Sequence, residues 1–176
     1  MTKELAQKRK YGKDIVEKIP EYKMKVLKKV LESDVIAKLL YYKSADALFR
    51  PDLTEEQKDE LLYKNVYPYR FMPDTIEVQD SFITFDIGRI RALEVGYDIF
   101  DDYKNGQVTF YLFTHTELMR THSGIRQDLI LAELSKLFNK DRTLGIGELN
   151  IRGVEVLYMH NNKFGGYTLS FTIIDV

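Results

Sequence analysis

Between Gln107 and Phe138 the pattern of apolar and polar positions changes period once. Val108, Phe110 and Leu112 alternate with Thr109, Tyr111 and Phe113, a period of two in β-branched and aromatic residues that predicts a strand. Both of its faces are bulky, so the strand is expected inside the sheet and covered on both sides. Asn105-Gly106 stands just before it, a pair that readily takes positive φ and predicts a hairpin turn into the strand. After a polar break, Ile125, Leu129, Ile130, Leu134, Leu137 and Phe138 recur at helical spacing, with Arg126, Gln127, Glu133 and Lys136 off that face. Ser123 is placed to cap this helix. The pattern reads as a helix laying its apolar face on the sheet, not as a membrane-surface helix.

The same reading extends to both ends of the chain. Residues 1–20 form a charged, net-positive arm ending at Pro20: a solvated tail, an arm ordered against a neighbouring subunit, or one facing DNA phosphates. A helix is predicted over Glu21–Leu31, with Met24, Leu27 and Leu31 on one stripe, and a second over Val35–Tyr41 after a cap at Ser33-Asp34. Thr54-Glu-Glu-Gln57 has the spacing of a capping box, which predicts a short helix to about Tyr63. Pro68 and Pro73 make the next stretch an extended connector. Strands are predicted over Phe82–Ile87, Leu93–Ile99, Leu149–Met159 and Tyr167–Ile174, with a turn through Asp101–Gly106 and another through Asn161–Gly166. The whole reads as an α+β fold: a mostly antiparallel sheet with one main helix packed on it, preceded by short N-terminal helices. A single domain over 21–176 is expected, helical to about 64 and sheet-rich from about 74.

Composition removes whole classes of chemistry. With 176 residues, one domain is expected, and a net charge of -1 argues against a general nucleic-acid binder. The chain has no cysteine, so disulfides, thiolate catalysis and cysteine-based zinc sites are excluded. No apolar run approaches membrane-spanning length, and the charged N-terminus lacks the apolar core of a secretion signal. The three histidines are His115, His122 and His160. His115-Thr-Glu117 matches half of a zinc deaminase signature whose cysteine half is missing. His115 and His122 flank a turn without a third ligand nearby, which leaves a metal-dependent hydrolase as the weaker alternative to surface or hydrogen-bonding histidines. Ser123 beside His122 lacks the glycines of a nucleophile elbow, and Gly145-x-Gly147 lacks the third glycine of a dinucleotide loop. Asp74 has no acid–lysine step on a following strand to complete a nuclease-like metal pair, and Glu94 and Asp98 read as the solvated side of a strand. No enzyme, metal or cofactor is expected.

Several segments carry a resemblance to a known family. Asp34-Val-Ile-Ala-Lys-Leu-Leu-Tyr-Tyr42, Asp46-Ala-Leu48 and Pro51-Asp-Leu-Thr54 resemble the opening of the head–tail joining (neck) proteins of tailed bacteriophages, most nearly the tail-terminator type. Asn65-Val-Tyr-Pro68, Ser81-Phe-Ile-Thr-Phe85, Phe110-Tyr-Leu-Phe113, Arg126-Gln-Asp-Leu-Ile130 and Leu134-Ser-Lys-Leu-Phe138 continue the likeness. It covers roughly Asp34 to Val176 and leaves the arm outside.

The resemblance implies a ring, commonly a hexamer, in the virion neck, assembled in the host cytoplasm. Such a ring caps the tail, meets connector and tail tube or sheath proteins, and leaves a channel through which DNA passes as cargo. It implies no cofactor and no membrane partner, with function in sheet edges that pair between subunits and in docking loops. The candidate docking residues are Arg89 and Arg91 in the loop Arg89-Ile-Arg-Ala92, Asp101, Asp102 and Lys104 in the following turn, and Arg120 and Arg126 beside the strand-to-helix turn. The alternatives are ordinary solvated turns and local salt bridges, and, for the whole chain, a stopper-type adaptor that is monomeric until it meets its partners.

Overall fold

The computed structural model describes residues 14–70, 79–92, 104–157 and 163–174. Along the chain come α1 (Asp14–Glu32), α2 (Asp34–Tyr41), a 3-10 turn (Ala47–Phe49), α3 (Glu55–Asp59), β1 (Val66–Tyr67), β2 (Ser81–Ala92) and β3 (Lys104–His115). A 3-10 turn (Thr116–Leu118), the small hairpin β4 (Arg120–Thr121) and β5 (Gly124–Ile125), α4 (Arg126–Phe138), β6 (Glu148–Leu157) and β7 (Phe164–Ile174) complete it. The main sheet has the order β1-β2-β3-β7-β6, with β1 parallel to β2 and every other pairing antiparallel. This is the expected α+β class, with α4 on one face.

Alternation decides which residues enter the core. Ile83, Phe85 and Ile87 of β2, Val108, Phe110 and Leu112 of β3, and Leu169, Phe171 and Ile173 of β7 all point to the helical side and are buried. From α4, Ile130, Leu134 and Phe138 descend onto them, and Phe110 meets Phe138 at 4.9 Å and Phe85 at 5.6 Å between ring centres. Tyr22, Val26, Leu27 and Val30 of α1 and Ile36, Ala37, Leu39 and Leu40 of α2 complete the helical layer. The opposite face of β3 is only half covered, with Thr109 and Tyr111 partly exposed, so the strand is central but not sealed on both sides. At Gly166 a Cβ would lie 1.8 Å from the Leu112 carbonyl oxygen, so β7 can approach β3 there only with glycine.

Two of the three predicted caps hold. Ser33 caps α2 by accepting the Ile36 N–H (3.4 Å), and Thr54 and Gln57 form the reciprocal capping box of α3. Four expectations are corrected. The first helix spans Asp14–Glu32 with Pro20 inside it; the proline is exposed, so its ring meets solvent while Tyr22, Val26 and Leu27 anchor the following turns. Met24, expected on the buried stripe, is 53% exposed. Asn105-Gly106 lies within β3, paired with β2 at Arg91 and with β7 at Ile174 and Ile173, because two ladders outweigh a local turn preference. Ser123 does not cap α4: it sits in the β4–β5 hairpin, where its N–H donates to Thr121 Oγ1 (3.2 Å), and the cap position belongs to Ile125. The strand expected over Leu93–Ile99, with Glu94 and Asp98, the turn at Asp101 and Asp102, Asp74, His160, the turn residues Asn161 and Asn162, and the arm over residues 1–13 lie outside the described residues.

Candidate functional site

Among the described residues no group of three or more His, Asp or Glu side chains is placed to hold a metal ion. His115 is buried at the end of β3, where its Nδ1 accepts the Glu117 N–H (3.3 Å) and its ring meets Phe164 edge-on. His122 is exposed in the β4–β5 hairpin, with its backbone N–H on the Ala45 carbonyl (2.8 Å). No described helix is long and apolar enough to cross a membrane.

The docking residues named from sequence fall in different settings. Arg120 is exposed on β4. Arg89 is exposed, and Arg91 pairs through its backbone with Asn105, so the expected loop Arg89–Ala92 is the continuation of β2. Lys104 begins β3, opposite Ala92.

Arg126 has another role altogether. It is 1% exposed and takes the first position of the buried α4 stripe, followed by Ile130, Leu134 and Phe138. Its Nε donates to the Leu118 carbonyl (2.8 Å), Nη1 to the Leu39 and Tyr42 carbonyls (2.8 Å to Tyr42) and Nη2 to the Ser44 carbonyl (2.9 Å). Three of these acceptors belong to the C-terminal end of α2 and the turn after it, where carbonyls lack helical partners and a cation is favoured. Burial pulls the guanidinium below its ordinary value, and the Asp80 carboxylate acts the other way. Four of its five N–H groups are taken up by neutral carbonyls inside the chain, so the buried side chain ties α4 to α2.

Two surfaces missed by sequence reasoning lie at opposite edges of the main sheet. On β6, Ile151, Val154 and Val156 are 39%, 47% and 78% exposed. The first half of this edge is covered by the loop from α4: the Leu149 N–H and carbonyl bond to Asp141 and Lys140 (3.0 and 2.6 Å), and the Ile151 N–H donates to Asn139 Oδ1 (3.2 Å). Bonded and non-bonded pairs alternate along an antiparallel ladder. Leu149, Ile151, Val154 and Val156 face Ile173, Phe171, Leu169 and Tyr167, every second residue of β7, so Val154 and Val156 likewise turn their N–H and carbonyl groups outward. Among the described residues nothing takes these groups up. Beside the β1 edge, Tyr63 (56% exposed) stacks on Tyr69 (45%) at 6.4 Å, and Tyr69 meets Tyr67 edge-on at 5.6 Å. The aromatic residues were visible in the sequence; which strands end the sheet is a non-local fact that no periodicity reports.

The sheet face away from the helices holds a polar cleft of about 520 Å³, floored by β2, β3, β7 and β6 and lined by Arg70, Arg89 and Arg152. Arg70 lies over the Tyr111 ring (5.1 Å), Arg152 Nη1 donates to Gln107 Oε1 (3.3 Å), and Asp86 is bound by Lys23 (3.0 Å).

Comparison with curated proteins gives no match. The model of the YomW family matches residues 33–173, from the cap of α2 to the end of β7, and the chain belongs to this phage-derived family.

Proposed function

We propose that this chain is a structural protein of the phage neck, joining copies of itself into a ring that ends the tail and meets the head connector. The observation that carries the reading is the β6 edge, where Val154 and Val156 present exposed apolar side chains and outward-turned backbone groups that no described residue takes up, on the strand that ends the sheet. A strand in this state is a template for pairing with another chain, and β-augmentation uses its backbone for affinity and its side chains for specificity. The tyrosine surface at the opposite end of the same sheet gives the head-to-tail contact its second half. A contact between two different patches closes into rings or runs into filaments, and an isologous contact does neither. The phage origin of the family supports the virion setting. The function works through shape and needs no turnover.

Light scattering with negative-stain microscopy tests this. The expected result is rings at moderate concentration, lost on Val156→Lys. A particle that stays monomeric even with connector and tail-tube proteins added overturns the reading; a monomer that assembles only on those proteins replaces the self-forming ring with the stopper-type adaptor.

A further inference from the structure

The outer sheet face carries a feature that ring formation does not use. Among the described residues, the two register shifts of the main sheet each put an arginine beside the same cleft. On β2 the register slips between Gly88 and Arg91, and Arg89 stands in that gap with φ 53°, a left-handed conformation that a non-glycine residue keeps only where its surroundings hold it. On β6 the register slips between Ile151 and Gly153, and the extra residue is Arg152. Bulges bend a strand and re-aim a side chain, and here they do so from two sides of one concavity. Arg70 enters from the β1 side.

We infer that this cleft binds a carboxylate-rich peptide segment of another protein chain. Charge argues for an anionic occupant. Three guanidinium groups line the cleft against two carboxylates, and one of these, Asp86, is already held by Lys23. Among the described residues none of the three arginines is paired with an acid. Two are held in place by neutral contacts, Arg70 by the Tyr111 ring and Arg152 by Gln107, which orders the guanidiniums without spending their charge. A planar guanidinium fork matches a carboxylate through two parallel hydrogen bonds, and the hydroxyls of Thr109, Thr168 and Ser170 on the floor add neutral donors. A peptide fits better than a phosphodiester strand. Glu155 on the rim repels a continuous run of phosphates but can pair with a lysine or arginine within a mixed-charge peptide. The one aromatic ring in the lining, Tyr111, has Arg70 over it, so no bare platform is left for stacking bases.

The test is fluorescence anisotropy of the full chain with a labelled peptide of glutamates interrupted by one lysine and, separately, a single-stranded oligonucleotide of matched net charge. The peptide should bind saturably, weaken with added salt and bind more tightly than the oligonucleotide. The double variant Arg89→Gln/Arg152→Gln should lose about tenfold or more in affinity, and Arg120→Gln, outside the cleft, should lose none. Both substituted arginines are exposed, so the variant keeps its circular dichroism spectrum. Val156→Lys should bind the peptide as the unaltered chain does, which separates failure of the cleft from failure of the ring. Absence of saturable peptide binding, unchanged affinity in the double variant, or tighter binding of the oligonucleotide overturns the inference.

Discussion

Arg126 is the side chain on which the contact between two helices turns. Its donors serve four backbone carbonyls, and the Asp80 carboxylate acts on it through charge without being one of its hydrogen-bond partners. Arg126→Met keeps much of the volume but leaves those carbonyls without their cation. Hydrogen bonds to charged groups contribute about 1.5–3 kcal/mol each, and water entering at the half-exposed turn offsets part of the loss, so a net destabilisation of about 3 kcal/mol is expected in urea unfolding. Arg126→Lys should recover only a fraction, since a point charge on a flexible stem cannot reach Leu118 on one side and Ser44 on the other at once. If Arg126→Met unfolds at the same urea concentration as the unaltered chain, the anchoring role is wrong. The sequence held half of this. Arg126 stands four residues before Ile130, in step with Leu134 and Phe138, so its spacing places it on the buried stripe. Its charge argued for the opposite face, and only the unsatisfied carbonyls at the end of α2, far away in sequence, explain why a cation is buried there.

At the scale of elements, the local chemistry was readable and the long-range competition was not. Ser33 and the Thr54–Gln57 box act within a few residues of themselves, so their geometry follows from the sequence. Pro20 and Asn105-Gly106 carry equally strong local signals that distant packing overrides, through the buried face of α1 and the two ladders of β3. The connection from α4 to β6 is held by a charge cluster. Glu148 accepts from Arg142 Nε and Nη2 (2.8 and 2.6 Å) and from Lys140 Nζ (3.2 Å). The bonds from Arg142, Lys140 and Asn150 hold its carboxyl at about 2 against the usual 4.5. Because the folded value lies below the unfolded one, this contribution to stability is present above pH about 4.5 and is lost as the pH falls to about 2. Urea midpoints across that window should therefore fall more steeply for the unaltered chain than for Glu148→Gln, and the two curves should converge toward the acid end. Parallel curves would mean that the cluster is ornamental. The same residues place the loop whose Asn139, Lys140 and Asp141 cover the first half of the β6 edge, so the cluster also sets where the uncovered half begins.

For the whole molecule, the two exposed surfaces at opposite ends of one sheet make a claim about symmetry that a simple size measurement leaves open. Val156→Lys blocks the β6 edge and keeps the tyrosine surface. Tyr63→Asn with Tyr69→Lys blocks the tyrosine surface and keeps β6; asparagine suits position 63, where φ is 56°. In a head-to-tail ring each variant alone is a monomer, because each lacks one half of the only contact it can make with itself. Mixed, they supply one intact edge each and should form a one-to-one heterodimer that grows no further, since its two outer surfaces are the blocked ones. If β6 instead pairs with a second β6 about a twofold axis, the tyrosine variant alone stays dimeric and the mixture gains nothing. Analytical ultracentrifugation of the two variants, separately and together, distinguishes these outcomes without requiring the ring to be imaged. The heterodimer is expected because exposed apolar side chains sit at both sheet ends, whereas a twofold β6 contact leaves Tyr63 and Tyr69 uncovered by any described residue.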